Sequence, residues 1–291
     1  LKFSSYNILR LQNMIRLGTS GFSFDDWRGV VYPPKIKKQD FLPYYERELG
    51  FRCLELNSTY YTLPSQKSME GMLKKVSADF KFTVKAFRGM THEIWEEDRK
   101  TLLDNREVFE KFNFSLAPLR EAGNLSCVIA QFPPWFHPDR VTHDYLKTFN
   151  ERLGGVPVVV EFRNRAWHND TTLDLLRENG LGYCVVDEPR LPSLMPFNPR
   201  ATSAVGYFRL HGRNPRWFNV PTSVRYDYLY GEAELQEFLG PIHEIESLTR
   251  TTFVFFNNCH AGSAVCNALR LREMLGLSEE PAPGGQRELP F

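Results

Sequence analysis

Carboxylate and histidine side chains stand at the ends of short apolar segments of this sequence, where acid–base chemistry would need them. Glu55, Glu161 and His211 lie in or directly after three different segments of this kind. Two carboxylates on nonadjacent strands can act as general acid and general base, and a histidine can shuttle a proton near neutral pH. We therefore predict that Glu55, Glu161 and His211 are the catalytic residues of an enzyme.

A second set of polar side chains occupies the same ends of the segments and predicts how a substrate is held. Lysine and arginine side chains there could bind an anionic group or stabilise a developing oxyanion. The predicted substrate is therefore a small polar molecule that carries a phosphate or a carboxylate. The predicted substrate-binding residues are Asn57, Lys85, Gln131, Arg163, Trp167, Asp187, Arg209, Arg213, Asn257 and Asn258.

A candidate phosphate position follows the last apolar segment. There Ala261-Gly262-Ser263 could begin a helix with free N–H groups, and we expect Arg213 nearby. In β/α barrels, phosphate often binds beside the loops after the seventh and eighth strands. These loops are therefore a second place where the anionic group could lie.

Two other functions stay open. The first is a metal-dependent phosphodiesterase or nucleic-acid-processing barrel, in which Glu55, Glu161, Asp187 and His211 would be the ligands of a divalent metal. We favour no metal and predict no cofactor, because nearby cations balance the carboxylates and no HxH or HExxH spacing occurs. The second is a non-catalytic ligand-binding barrel, whose mouth aromatics would stack on a sugar or a base.

Strand geometry also permits a purely structural role for the charges. Because side chains alternate along a strand, Glu161 and Arg163 share a face, as do Arg209 and His211. An unpaired buried charge costs several kcal/mol, so charges that point into a barrel must be paired, hydrogen-bonded or bound to a ligand. The carboxylates and cations could therefore form an internal ion-pair network.

The elements that must position these side chains are eight short apolar, β-branched or aromatic segments. Most are followed by a segment with a helical pattern. Eight strands, most of them followed by a helix, predict a single (β/α)8 TIM-type barrel, with an open doubly wound sheet as the alternative. A barrel of this type has its active site at the C-terminal ends of the strands. The predicted strands cover residues 15–18, 53–56, 80–86, 127–132, 156–162, 182–186, 205–210 and 252–256. The predicted helices cover residues 40–49, 65–76, 105–120, 138–153, 170–179, 232–248 and 262–275.

Two long connections and both ends of the chain depart from this pattern. Residues 188–203 contain four prolines and predict a loop with little or no helix, and residues 213–218 predict a loop at the barrel mouth. The barrel domain is expected over residues 14–278. We expect residues 1–13 to be an extension or a leader, and residues 279–291 to be a peripheral tail.

The amino-acid composition limits which binding partners and which cellular compartment we expect. Lys plus Arg number 36 against 35 for Asp plus Glu, so no overall positive charge indicates nucleic acid or an anionic membrane, although nucleic acid stays open as a partner. The five cysteines form no CxxC pair, and no apolar stretch approaches the roughly 20 residues of a membrane span. We expect a cytoplasmic protein with buried free thiols, no membrane partner and a small polar or anionic ligand.

The ordered motifs of the chain resemble those of a known family. They are similar to the YecE-like domain-of-unknown-function family over about residues 15–275, and this resemblance implies a β/α barrel but no reaction. The sequence departs from the family at Phe22, where Trp is common, and near Cys259, where an acidic residue is common. The matching motifs are GTSGF at 18–22, WRG at 27–29, ELNSTYY at 55–61, FTVKA at 82–86, QFPP at 131–134, VEFR at 160–163, YFRLHGR at 207–213 and FNN at 256–258.

Overall fold

β-Branched and aromatic residues form eight parallel strands in the computed structural model, which describes residues 14–277. Each strand pairs with its neighbours in the order β1-β8-β7-β6-β5-β4-β3-β2, and the sheet curls into a nearly closed barrel. The predicted (β/α)8 TIM-type barrel is thereby confirmed. The strands are β1 Met14–Thr19, β2 Cys53–Leu56, β3 Lys81–Lys85, β4 Leu125–Gln131, β5 Val158–Glu161, β6 Gly182–Asp187, β7 Val205–Leu210 and β8 Thr251–Phe256.

The two edge strands, β1 and β2, meet at a short seam that closes the barrel. Ser20 and Glu55 form a parallel bridge, and the Gly21 N–H donates to the Glu55 carbonyl at 3.0 Å. A Cβ at Gly18 would lie only 2.5 Å from the Cys53 carbonyl oxygen. Only glycine therefore lets the two strands approach this closely without a backbone shift.

Helices cover the outside of the barrel, as the apolar patterns predict. The seven predicted helices are present, and residues 188–203 contain no helix, as their prolines indicate. A short additional helix lies in the loop after β7. The helices are α1 Phe41–Arg47, α2 Gln66–Leu73, α3 Arg106–Glu121, α4 Arg140–Arg152, α5 Asp170–Glu178, α6 Thr222–Arg225, α7 Glu232–Leu248 and α8 Ser263–Met274.

Side-chain oxygens begin several of these helices. Ser65 accepts from the Ser68 N–H ahead of α2, and Asn169 accepts from the Thr172 N–H at the start of α5. Such caps satisfy backbone donors that have no partner within the helix. Ser65 and Asn169 both stand in loops that lead from a strand to a helix, on the side of the barrel mouth.

The core lies between the strands and the surrounding helices. In β5, Val158, Val159 and Val160 are all buried, as expected for a strand covered on both faces. No helix among residues 14–277 is long and apolar enough to cross a membrane. The predicted extension, residues 1–13, and the predicted tail, residues 279–291, lie outside the described residues.

Candidate functional site

A cavity of about 430 Å³ opens at the C-terminal ends of the strands. Its volume falls in the range of small-molecule sites, and its position is that of active sites in β/α barrels. Phe22, Phe24, Tyr61 and Tyr226 supply aromatic wall surface. Its polar lining consists of Ser20, Ser23, Asn57, Ser58, Lys85, Gln131, Arg163, Arg209, Thr222 and Asn257.

Arg209 on β7 lies between two carboxylates that have no exposed surface. Its Nη2 donates to Glu55 Oε1 at 2.7 Å, and its Nη1 donates to Glu161 Oε2 at 2.5 Å. The Tyr207 hydroxyl donates to Glu55 Oε2 at 2.7 Å and lies 2.8 Å from Thr83 Oγ1. Residues of strands β2, β3, β5 and β7 thus fix one guanidinium across the barrel.

Arg163, which follows β5, is the second guanidinium and its side chain is 12% exposed. Its Nε lies 2.5 Å from Glu161 Oε1, and its Nη1 donates to Glu188 Oε2 at 3.0 Å. Glu188 also accepts from the Met195 N–H at 2.9 Å, which ties the loop after β6 to the site. Carboxylates behind the cavity therefore hold both arginines.

The carboxylates behind the cavity differ in their affinity for protons. Burial alone would raise the pKa of Glu161, but the guanidiniums of Arg163 and Arg209 outweigh it and hold that pKa well below its usual range. Burial raises the pKa of Glu188 to about 6, and Arg163 only partly opposes this shift. Glu161 is therefore ionised at any physiological pH, whereas Glu188 titrates just below neutrality.

His211 is fully buried beneath the cavity and contributes nothing to its lining. Its Nε2 lies 3.0 Å from Arg163 Nη2 and 3.4 Å from Glu161 Oε1, and its Nδ1 lies 2.9 Å from Asn257 Nδ2. Burial, followed by the charge of Arg163, lowers the pKa of His211 to about 3. The imidazole is therefore neutral at pH 7.

Lys85, at the end of β3, is the third cation in the cavity lining. Its Nζ donates to Gln131 Oε1 at 2.8 Å and lies 4.4 Å from the centroid of the Tyr60 ring. Burial lowers the pKa of Lys85 to about 7, and the neighbouring Arg209 charge adds to the effect. The ammonium and free-amine forms are therefore comparably populated near neutral pH.

Four residues of the predicted substrate-binding set lie away from the cavity lining. Asp187 receives the guanidinium of Arg213 at 3.0–3.1 Å and the Tyr230 hydroxyl at 2.7 Å. Trp167 is buried, and its Nε1 donates to the Phe136 carbonyl at 2.7 Å. Trp167 also stacks on Phe162. Of the other two, Arg213 also reaches Glu237 on α7, and Asn258 donates to the Tyr228 carbonyl and to Asn267.

The candidate phosphate position at residues 261–263 is occupied by a protein carboxylate. The Ala261 N–H donates to Asp26 Oδ2 at 2.8 Å, and His260 Nδ1 lies 3.7 Å from the same oxygen. A phosphate at this helix start would face that carboxylate. The cationic lining of the central cavity is the better place for an anion.

The ligand set considered for a metal does not converge. Arg209 separates Glu55 from Glu161, while Asp187 pairs with Arg213. Within residues 14–277, no three His, Cys, Asp or Glu side chains come close enough to share a metal ion. These carboxylates instead hold guanidiniums.

Several site residues were not identified from the sequence. Tyr226 and Thr222 reach the cavity from the loop after β7, and no sequence signal distinguishes them from other loop residues. Tyr207 had a signal, since it stands two residues before Arg209 on the same face of β7.

Comparison with known proteins supplies relatives for this fold and site. The family model described as protein of unknown function DUF72 matches residues 16–289. The UPF0759 protein YunF of Bacillus subtilis is 31% identical over 276 residues, which cover 91% of this chain and 95% of that protein.

Two solved structures of relatives share the barrel. A DUF72 family protein from Thermotoga maritima is 45% identical, with a TM-score of 0.84 over 90% of this chain and 99% of that one. A DUF72 family protein from Enterococcus faecalis is 27% identical, with a TM-score of 0.80 over 94% of this chain and 100% of that one. None of these descriptions states a ligand or a reaction.

Proposed function

Because the chain belongs to the DUF72 family of proteins of unknown function, whose name states no reaction, we propose a function from the site itself. The protein is an enzyme, and its substrate is a small polar molecule whose phosphate or carboxylate binds in the central cavity. The observation that carries this proposal is the charge of the lining: Lys85, Arg163 and Arg209 line the cavity, and no Asp or Glu of the described residues does.

The separation of charge supports an anionic ligand more strongly than the overall composition would. Glu55 and Glu161 have no exposed surface and lie behind the guanidiniums that they hold. A ligand in the cavity therefore contacts the cations and not the carboxylates. The space is partly desolvated, and charge-assisted hydrogen bonds are roughly twice as strong as neutral ones.

Unused hydrogen-bonding capacity supports a polar ligand as well. Ser20 Oγ, Asn57 Oδ1 and Arg209 Nε are buried atoms without a hydrogen-bond partner among residues 14–277, and all three residues line the cavity. Buried polar atoms are normally satisfied, by protein, water or ligand. Donors and an acceptor together suit a molecule that carries both an anionic group and hydroxyl groups.

In this proposal, Glu55, Glu161 and His211 position the arginines, whereas the sequence suggested acid–base roles for them. None of the three lines the cavity. Glu161 is held ionised and His211 is held neutral, so neither exchanges a proton readily near pH 7. Proton transfer to a bound substrate is better assigned to a group that reaches the cavity.

The test is a thermal-shift titration with inorganic phosphate, compared with chloride at equal ionic strength. A ligand at 100 times its Kd stabilises the folded state by about 2.7 kcal/mol, which is roughly 5–10 °C for a domain of this size. We expect such a shift in the wild-type protein and its loss in Arg163→Gln, which removes a cation from the lining.

A matched control lies two residues further along the same loop. Arg165 is exposed and outside the cavity, so Arg165→Gln should retain the full shift. The comparison uses the difference between each variant with and without phosphate, so a change in basal stability does not affect it. Equal shifts in Arg163→Gln and Arg165→Gln, or no shift with phosphate or small carboxylates in the wild type, would overturn the proposal.

A further inference from the structure

Lys85 differs from the two arginines of the cavity in what surrounds its charge. Each arginine contacts two carboxylates. Lys85 Nζ instead contacts the neutral amide oxygen of Gln131 and the face of the Tyr60 ring, and no carboxylate of the described residues forms an ion pair with it. This amine is therefore accessible from the cavity without the counter-ion that would keep a lysine protonated.

We propose that Lys85 is the reactive amine of the site and condenses with the carbonyl group of a substrate whose anionic group is held by Arg163 and Arg209. The inference rests on the proposed function, because those arginines supply the anion site. All three side chains line one cavity of about 430 Å³. The substrate class is therefore a small oxo acid or a phosphorylated aldehyde or ketone.

The chemical step is imine formation. The lone pair of Nζ attacks the carbonyl carbon, and the C=O π electrons move to the oxygen. A proton passes from nitrogen to that oxygen through solvent, and one further proton from solvent lets the oxygen leave as water. The amine, the carbonyl compound and one proton thus give a protonated imine and one water molecule, with no oxidation or reduction.

The groups around Nζ favour the free amine that this step needs. Burial and Arg209 lower the pKa of Lys85, and Arg163 acts in the same direction, while Glu161 and Glu55 oppose them from behind.

Two further groups face Lys85 from the rim of the cavity. Burial raises the pKa of Tyr60, and burial together with the Lys85 charge lowers the pKa of His92 to about 4, so both are neutral at pH 7. Desolvation and a neighbouring cation are recognised ways to activate a lysine nucleophile.

The experiment uses pyridoxal 5′-phosphate as a probe, because it is an aldehyde that carries a phosphate. The full chain is incubated with it, reduced with borohydride and analysed by peptide mass spectrometry. Lys81 is the internal control, since it stands on the same strand at the opposite end of the barrel. Burial lowers the pKa of Lys81 as well, so it is a stricter comparison than a fully exposed lysine. Pyridoxal, which lacks the phosphate, is the matched control reagent.

We expect Lys85 to be modified roughly several hundredfold faster than a lysine of ordinary pKa at pH 7.4, because an amine with a pKa of about 7 is about 70% free there, whereas one at about 10.4 is about 0.1% free. Its modification rate should reach half its maximum near pH 7. Inorganic phosphate should slow the reaction of pyridoxal 5′-phosphate at Lys85 but not at Lys81, and pyridoxal should react at least about tenfold more slowly, since losing one charge-assisted anion contact reduces affinity by about that factor.

Lys85→Arg separates this inference from the proposed anion site. The variant keeps a cation but has no condensing amine, so it should lose the adduct, whereas Arg163→Gln should lose the phosphate thermal shift and keep the amine. If the wild-type protein shows the phosphate shift but Lys85 reacts no faster than Lys81, the reactive-amine inference fails and the anion site stands. If Lys85 reacts equally with both aldehydes and phosphate gives no protection, the link between amine and anion site is wrong.

Discussion

Replacing Arg209 with methionine should destabilise the protein severely. The substitution removes the cation between Glu55 and Glu161, neither of which has any exposed surface. Glu161 retains Arg163, but within the described part of the chain Glu55 retains only the Tyr207 hydroxyl. Breaking a buried pair in this way costs about 3–5 kcal/mol, because the remaining charge is buried without compensation. For a domain of this size the corresponding decrease in melting temperature is about 6–20 °C.

The sign of the pH dependence follows from Glu161. In the wild-type protein its pKa lies well below the usual value, so its ionised form contributes stability that is present above about pH 4.3 and is lost as the pH falls through the folded-state pKa. Arg209→Met removes one of the two cations responsible. The gap in stability between wild type and variant should therefore be largest above about pH 5 and should narrow at lower pH.

The assay is urea unfolding, followed by circular dichroism, at a series of pH values between 4 and 8. Arg216→Met is the matched control, because Arg216 is exposed in the loop after β7 and the change should stay within about 0.5 kcal/mol. Adding Glu55→Gln to Arg209→Met should recover part of the loss, since it removes the uncompensated charge. An Arg209→Met loss below about 1 kcal/mol, or a gap that widens towards acid, would refute the reasoning.

Two further predictions concern the buried histidine His211 and a comparison of two glycines, Gly18 and Gly71. The folded-state pKa of His211 is about 3, so on acidification the unfolded chain binds a proton at this imidazole before the folded protein does. The free energy of unfolding should therefore decrease by up to about 1.4 kcal/mol per pH unit as the pH falls below about 6.5. A His211→Gln variant with the same slope in urea unfolding would contradict this. Gly18→Ala should cost about 1–3 kcal/mol in thermal unfolding, because its Cβ would lie 2.5 Å from the Cys53 oxygen. Gly71→Ala in α2 should instead stabilise by about 0.5–1 kcal/mol, because no described atom outside the helix's own backbone lies within 4 Å of an added Cβ. Equal effects of the two substitutions would refute the steric argument.

Most of the fold could be predicted from the sequence, because the patterns that indicate strands, helices and loops are local. Apolar segments such as residues 205–210 coincide with β7, and helix α7 has the predicted bounds. The proline-rich stretch at residues 188–203 indicated correctly that β6 and β7 are joined without a helix. Helix α6 was missed because four residues in a long loop carry no periodicity that a pattern can detect.

The residues that line the cavity were harder to predict, because hydrogen-bond and ion-pair partners distant in sequence decide which polar residues face it. Asp187 and Arg213 stand at strand ends just as Arg163 and Arg209 do. Tyr230, just before α7, bonds to Asp187, and Glu237 on α7 bonds to Arg213, so this pair lies away from the cavity lining. Strand position identifies residues near the mouth, but it does not show which of them a ligand can reach.

The same distant pairing explains why a nearly neutral cluster can present a positive surface. Glu55, Glu161 and Glu188 balance Arg163, Arg209 and the protonated form of Lys85 in number, yet the carboxylates lie behind and the cations line the cavity. When Lys85 loses its proton, the cluster acquires one net negative charge and its attraction for an anion weakens. Condensation with a carbonyl substrate would restore the positive charge as a protonated imine, next to the anionic group that the arginines hold. Free-amine reactivity and anion binding, which oppose each other in the empty site, would therefore be compatible once the substrate is attached.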